Sequence, residues 1–190
     1  MMLANLFESE NFRMGGFDLE NDAEIEAGWS YDLTYARWYR DYPLRPLTAF
    51  EIKKRHEEWL KEMRDGNSVY HFSLRSREDN RLVGFVRISE VYWLHRLGTL
   101  QVALGDPACQ GLLTEAILLG LRYGFEELNL HRLSIVAPGY DLRLLEACES
   151  AGLTLEVRQR RMTYFANSFW DLLRYGMLCS EWRAMEGQHE

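Results

Sequence analysis

Residues 105–136, GDPACQGLLTEAILLGLRYGFEELNLHRLSIV, constrain the fold more than any other stretch of the chain. They read as the end of a strand, a tight loop, a long helix and a second strand. Over residues 112–128 apolar side chains cover a wide arc: Leu113, Ala116, Ile117, Leu121 and Phe125, with Leu118 and Leu119 between them. Glu115, Arg122 and Glu126 mark a narrow wet face, so the spacing predicts a well-buried helix. Leu133, Ile135 and Val136 form a short buried strand, closed by Ala137-Pro138-Gly139. A strand–helix–strand crossover makes its two strands parallel. The loop before the helix carries Asp106-Pro107 and Gln110-Gly111. A loop that feeds a helix N-terminus is a place where folded proteins hold phosphate.

The flanking chain follows a different rule. Residues 12–19 alternate loosely as a first strand, weakened at Gly15-Gly16, and Asn21-Asp22 can cap a helix over AEIEAGW. Residues 30–47, rich in Tyr, Trp and Arg with Pro43 and Pro46, predict an irregular aromatic loop. Thr48 with Glu51 makes a capping-box pattern for a helix to about Arg64, stopped at Asp65-Gly66-Asn67. Its buried side is expected to hold Phe50, Ile52, His56, Trp59, Leu60 and Met63. Three strand-like runs come next, over residues 69–74, 82–91 and 97–104, joined by short turns that imply antiparallel pairing. In the third, Leu100, Val102 and Leu104 alternate with Thr99, Gln101 and Ala103. After the parallel unit, Asp141 can cap a second helix with Leu144, Leu145, Cys148 and Ala151 on one side, ended by Gly152. Residues 153–164 and 172–182 form a last strand pair around a loop holding Phe169-Trp170-Asp171, and the chain past Arg183 reads as a loose polar tail. The order β, α, α, β, β, β, α, β, α, β, β predicts an α+β domain over residues 1–183. Its sheet of about seven strands is mixed but mostly antiparallel and flanked by about four helices, with 184–190 as a tail.

Composition narrows the function classes. The chain has 190 residues, 47% hydrophobic and 27% charged, ordinary values for one globular domain. A net charge of −7 argues against general nucleic-acid binding and mildly favours an amine-bearing partner. Three cysteines, Cys109, Cys148 and Cys179, show no metal spacing and read as reduced thiols in a cytoplasmic setting. No metal site is expected. No apolar run approaches the roughly 18 residues of a membrane span, and no basic region with an apolar run opens the chain.

The element order, with an Asp-Pro…Gln-Gly loop before the main helix, resembles the GNAT superfamily of acyl-CoA-dependent N-acyltransferases, and most closely its ribosomal-protein N-terminal acetyltransferase branch. The likeness is carried by Leu44-Arg45-Pro46-Leu47, Arg81-Leu82-Val83-Gly84, Gly105-Asp106-Pro107 and Thr114-Glu115-Ala116. It continues through residues 123–132 (YGFEELNLHR), Trp170-Asp171 and Glu181-Trp182. The resemblance implies acetyl-CoA as co-substrate, with its pyrophosphate on the loop and helix start: Gln110, Gly111, Leu112, Leu113 and Thr114. It implies a pantetheine arm paired with the strand edge at Val102, Ala103 and Leu104. It places the family's Asn on Asp141 and its thiolate-protonating Tyr on Cys148.

Two departures stand out. Gln110-Gly111 runs at once into Leu112-Leu113, so the loop is about two residues short of the family's glycine pattern. It also has no Arg or Lys from Gly105 to Glu115. Cys148, with an unperturbed thiol pKa near ~8.5, is either a short acid or a core cysteine. For the general base, Glu90, His95 and Gln101 are the candidates, with His131 structural. Trp29, Tyr31, Tyr35, Trp38 and Tyr39 fall where this family places its acceptor lid; they line a groove or simply pack. The expected function is acyl transfer to a primary amine by direct attack in a ternary complex. The acceptor would be an amine-bearing small molecule (polyamine or aminoglycoside-like) or a protein N-terminus, and the protein a monomer or homodimer. The alternatives are a family member that binds a ligand or partner without acyl transfer, and a dimeric scaffold.

Overall fold

The computed structural model describes residues 5–37, 44–66 and 68–187. Trp38, Tyr39, Pro43 and Asn67 lie outside them. Seven strands form one sheet: β1 (Phe12–Gly15), β2 (Tyr70–Ser76), β3 (Leu82–Tyr92), β4 (Leu97–Leu104), β5 (Arg132–Pro138), β6 (Thr154–Phe165) and β7 (Ser168–Leu178). Their order is β1-β2-β3-β4-β5-β7-β6. Every neighbouring pair is antiparallel except β4–β5, which is parallel as the crossover requires. Six α-helices lie among the described residues: α1 (Asn21–Trp29), α2 (Leu33–Ala36), α3 (Ala49–Asp65), α4 (Leu113–Arg122), α5 (Leu142–Ser150) and α6 (Cys179–Glu186).

Two of these helices were not expected. Within the aromatic loop, Asp32 accepts from the amides of Thr34 and Tyr35 and starts the single turn of α2. At the C-terminus the last strand stops at Leu178 rather than Trp182. Glu181 accepts the Leu178 amide at 2.7 Å and α6 begins. Trp182 and Met185 join the core from that helix, so residues 184–186 are not a loose tail. Phe169, Trp170 and Asp171 lie within β7, because the hairpin turns earlier, at Ala166-Asn167, both with positive φ. The long helix is also shorter than its apolar arc: α4 ends at Arg122, and residues 123–127 form a wider π turn.

The two faces of the sheet differ in chemistry. On one, Leu100, Val102 and Leu104 of β4 join Val86, Ile88, Leu133 and Ile135 under Ala116, Ile117 and Leu121 of α4 in a fully apolar cluster. Each fully buried side chain of this size contributes ~1.5–3 kcal/mol. The opposite face meets α1 and α3. There the capping box holds as expected, with Thr48 Oγ1 accepting the Glu51 amide at 3.3 Å and Glu51 accepting the Thr48 amide at 3.0 Å. Ile52 and His56 are buried, but Phe50 is 76% exposed. Phe17 stacks on Phe85, and Trp59 stacks on His71 with ring centroids 4.6 Å apart. Asp22 is fully buried; one Arg75 nitrogen donates to both its oxygens, at 2.7 and 2.8 Å, and the Asp18 amide donates to Oδ2 at 2.8 Å.

Candidate functional site

β4 and β5 pair only at Leu97↔Arg132, Gly98↔Leu133 and Thr99↔Ser134, and then diverge. Across β4's other edge, Gly105 donates to the Val83 carbonyl at 3.0 Å. Alternation in an antiparallel ladder then turns the amides and carbonyls of Val102 and Leu104 the opposite way, into the gap. Gln110 Nε2 donates to the Leu104 carbonyl at 2.6 Å. The Val102 main chain is left as an open strand edge.

A cavity of about 860 Å³ occupies this gap. Its floor is residues 100–104 of β4 with Ile135, Val136 and Pro138 of β5. One wall comes from Asp32 to Tyr35 and Arg37, the other from Tyr140, Asp141, Arg143 and Leu144 at the start of α5; Met162, Thr163 and Tyr164 of β6 close it. One glycine is indispensable to the floor: a Cβ on Gly105 would stand 2.0 Å from the Trp29 ring. Only a bare backbone lets α1 approach the end of β4 so closely.

Of the residues expected to hold a cofactor, Val102, Ala103, Leu104, Gln110, Leu113 and Asp141 line the cavity together. Gly111, Leu112 and Thr114 follow Gln110 without lining it. The loop is a 3₁₀ turn, Pro107–Leu112, capped by Asp106 through the Ala108 amide at 2.8 Å. At the start of α4, Leu112 offers no side-chain cap. A positive charge is present here although the loop carries none: Arg143 of α5 donates to Gln110 Oε1 at 2.7 Å. Asp141 caps α5 by accepting from Leu144 at 3.2 Å. A helix start, an open strand edge and a nearby guanidinium together fit an elongated molecule with an anionic end.

The residues expected to do proton chemistry are not brought together. Cys148 is fully buried in the core and lines no part of the cavity; burial pushes its thiol up to about 12. Glu90 sits at a bulge with positive φ and accepts from Thr99 Oγ1 at 2.7 Å, and His95 lies in the exposed β3–β4 turn. Neither reaches the cavity lining. Gln101 does, and its oxygen accepts from Arg87 at 3.3 Å. His131 enters β5 as expected, its amide donating to the Arg96 carbonyl at 2.7 Å.

Sequence reading missed a buried polar group behind the cavity wall. Tyr35, which lines the cavity, donates to Glu26 Oε1 at 3.1 Å, and His56 Nε2 meets Glu26 Oε2 at 2.6 Å. Glu26 and His56 are fully buried. Burial pushes the Glu26 carboxyl up, against the pull of its His56 and Tyr35 hydrogen bonds, and burial beside Glu26 pushes Tyr35 up. Only the helical spacing of His56 hinted at it. Tyr140 packs on Phe165 at 4.3 Å, and the Arg37 guanidinium lies 4.6 Å from the Phe165 ring. Of the expected aromatic lid, Tyr35 and Trp29 pack inward, while Tyr31 is exposed.

Residues 17–154 match the acetyltransferase (GNAT) domain family. The chain belongs to that family. Among curated relatives, the probable N-acetyltransferase YjcK of Bacillus subtilis (strain 168) is 31% identical over 125 residues, covering 63% of this chain and 66% of that protein. The uncharacterized N-acetyltransferase YnaD of the same strain is 24% identical over 117 residues, covering 62% and 69%. The match thus spans a little under two thirds of the first relative. The fold matches that of a solved probable acetyltransferase, with TM-score 0.78 and 21% identity over 94% of this chain and 98% of that one. It also matches Vibrio cholerae spermidine N-acetyltransferase in complex with CoA and spermine, with TM-score 0.76 and 19% identity over 92% and 99%. This GNAT chain has the expected mixed sheet, and among the described residues no helix is long and apolar enough to cross a membrane.

Proposed function

We propose that this GNAT protein transfers an acetyl or other short acyl group from acyl-CoA to a primary amine, by direct attack in a ternary complex. The observation that carries the reading is the open edge of β4 at Val102, bordering a cavity that ends at Gln110, Arg143 and the start of α4. Acyl-CoA would supply the activated thioester. Val102 would hold its amide-bearing arm by main-chain hydrogen bonds, and the amides of Leu113 and Thr114 with Arg143 would hold its phosphates. Gly111 would let the backbone approach, and Asp141 would orient α5. The amine would enter between α2 and β6. Tyr140 and Tyr164, which line the cavity, are better placed than Cys148 to protonate a departing thiolate. The setting would be cytoplasmic, with a monomer or homodimer.

The likeness to ribosomal-protein acetyltransferases and the spermidine acetyltransferase named among the solved structures leave two acceptor classes, a protein N-terminus and a small-molecule amine. A second reading, ligand binding without turnover, is favoured by one observation: leucines stand at positions 112 and 113, where the family's short glycine loop would bring amides closest to a phosphate. Thermal melting with acetyl-CoA, followed by thiol release over an amine panel, tests both. Ligand at a hundredfold excess over Kd stabilises by about 2.7 kcal/mol. No shift at millimolar acetyl-CoA would sink acyl transfer, and a shift without thiol release from any amine would establish the second reading.

A further inference from the structure

We propose that Gln101 selects the acceptor, and that it selects a primary amine flanked by a carbonyl oxygen, as at a peptide N-terminus, over a polyamine. The inference rests on the acyl-transfer reading of the cavity but is carried by a separate feature. On the sheet face toward α3, a polar row crosses three strands in direct register: His71 on β2 opposite Arg87 on β3, and Arg87 opposite Gln101 on β4. Its outer end is Glu62 of α3, 3.6 Å from His71 Nε2 and 3.9 Å from Arg87. Its inner end, Gln101, lines the cavity beside the Val102 edge.

Arginine has donors and no acceptor, so the Gln101 atom that meets Arg87 at 3.3 Å is the amide oxygen. The amide nitrogen is therefore the group left over, and among the described residues it meets no acceptor. A fixed N–H donor at the acceptor side of the cavity is satisfied by a carbonyl oxygen. A polyamine has none, and Arg87, which holds Gln101 from the neighbouring strand, offers an ammonium group no acceptor. The two carboxylates that line the cavity, Asp32 and Asp141, each cap a helix through Oδ1. A site built to hydrogen-bond a substrate group discriminates against analogues that lack it.

Calorimetric titration of alanyl-glycinamide, 1,4-diaminobutane and spermidine, with and without CoA, tests this without requiring turnover. The wild-type protein is expected to bind the peptide amide at least about tenfold tighter than either polyamine, the worth of one good hydrogen bond. Gln101→Leu is expected to bring that ratio to about threefold or less, and Gln101→Glu to reverse it. Gln101→Asn, which keeps the chemistry but withdraws the donor, repeats the test in a milder variant, and thermal melts confirm that each is folded. Equal or tighter polyamine binding, no binding of either class, or ratios that the variants leave unchanged would overturn the proposal. Failure of acyl transfer shows separately, as a peptide that binds selectively yet releases no thiol from acetyl-CoA.

Discussion

The two faces of the sheet hold their helices by different means. The α4 face is mostly apolar, with the Tyr175 hydroxyl donating to Glu149 among its few polar contacts, and most of its contacts are interchangeable in kind: many side chains each exclude some water. The α1–α3 face contains Asp22–Arg75, Glu26–His56–Tyr35 and His71 between Trp59 and Arg87. Asp22 and Glu26 each rely on a partner from a distant part of the chain, Arg75 and His56. The first face makes an apolar floor, whereas the second carries directional polar groups, of which Tyr35 lines the cavity.

If that contrast holds, removing one partner should cost more on the polar face than truncating one side chain on the other. Arg75→Met leaves Asp22 buried without its counter-ion, held only by the Asp18 amide, and should cost ~3–5 kcal/mol in urea unfolding. The double change Asp22→Leu, Arg75→Met should recover most of it. Leu119→Ala, in the apolar cluster at 1% exposure, should cost ~2–4 kcal/mol; a larger loss than for Arg75→Met would erase the distinction.

The next effect is in pH. Burial, with Arg87 nearby, lowers His71 to about 3. Below pH 6.5 the unfolded chain then binds a proton that the folded one refuses, so this stability is complete above about 6.5 and is lost as pH falls toward about 3. From pH 7 to 5 the loss should be ~2 kcal/mol. His71→Phe, which keeps a ring against Trp59, should flatten that part of the profile; an unchanged slope would remove His71 from the explanation. The smallest effect is Thr48→Ala, which removes the α3 cap for ~1 kcal/mol, readable as a shift in melting temperature.

The same contrast explains what could be read beforehand. Leu100, Val102 and Leu104, and the run from Leu113 to Leu121, follow strand and helix periods, so the floor of the site was legible. The Thr48–Glu51 box is local and was legible too. Glu26 and His56 are 30 residues apart, and Asp22 and Arg75 are 53 apart. No period records such pairs, so the polar groups behind the cavity wall were not. Phe50 misled because its spacing fits the buried side while its position in the first turn of α3 carries it outward. Arg143 was hidden because the charge near the loop comes from another helix. At the C-terminus, aromatic Phe169 and Trp170 disguised a strand, and Leu178 hid a helix start that Glu181 alone signalled.

The brevity of the β4–β5 seam has a consequence for motion. Three residue pairs join a blade of β1–β4 to a blade of β5, β7 and β6, and α4 is the strap between them. Amide exchange should therefore divide the sheet into two cooperative blocks that open at different free energies. A molecule lying in the gap and bonded to both sides would act as a splint. In its presence the two blocks should exchange as one, and the half of the protein that never touches the ligand should slow along with the half that does.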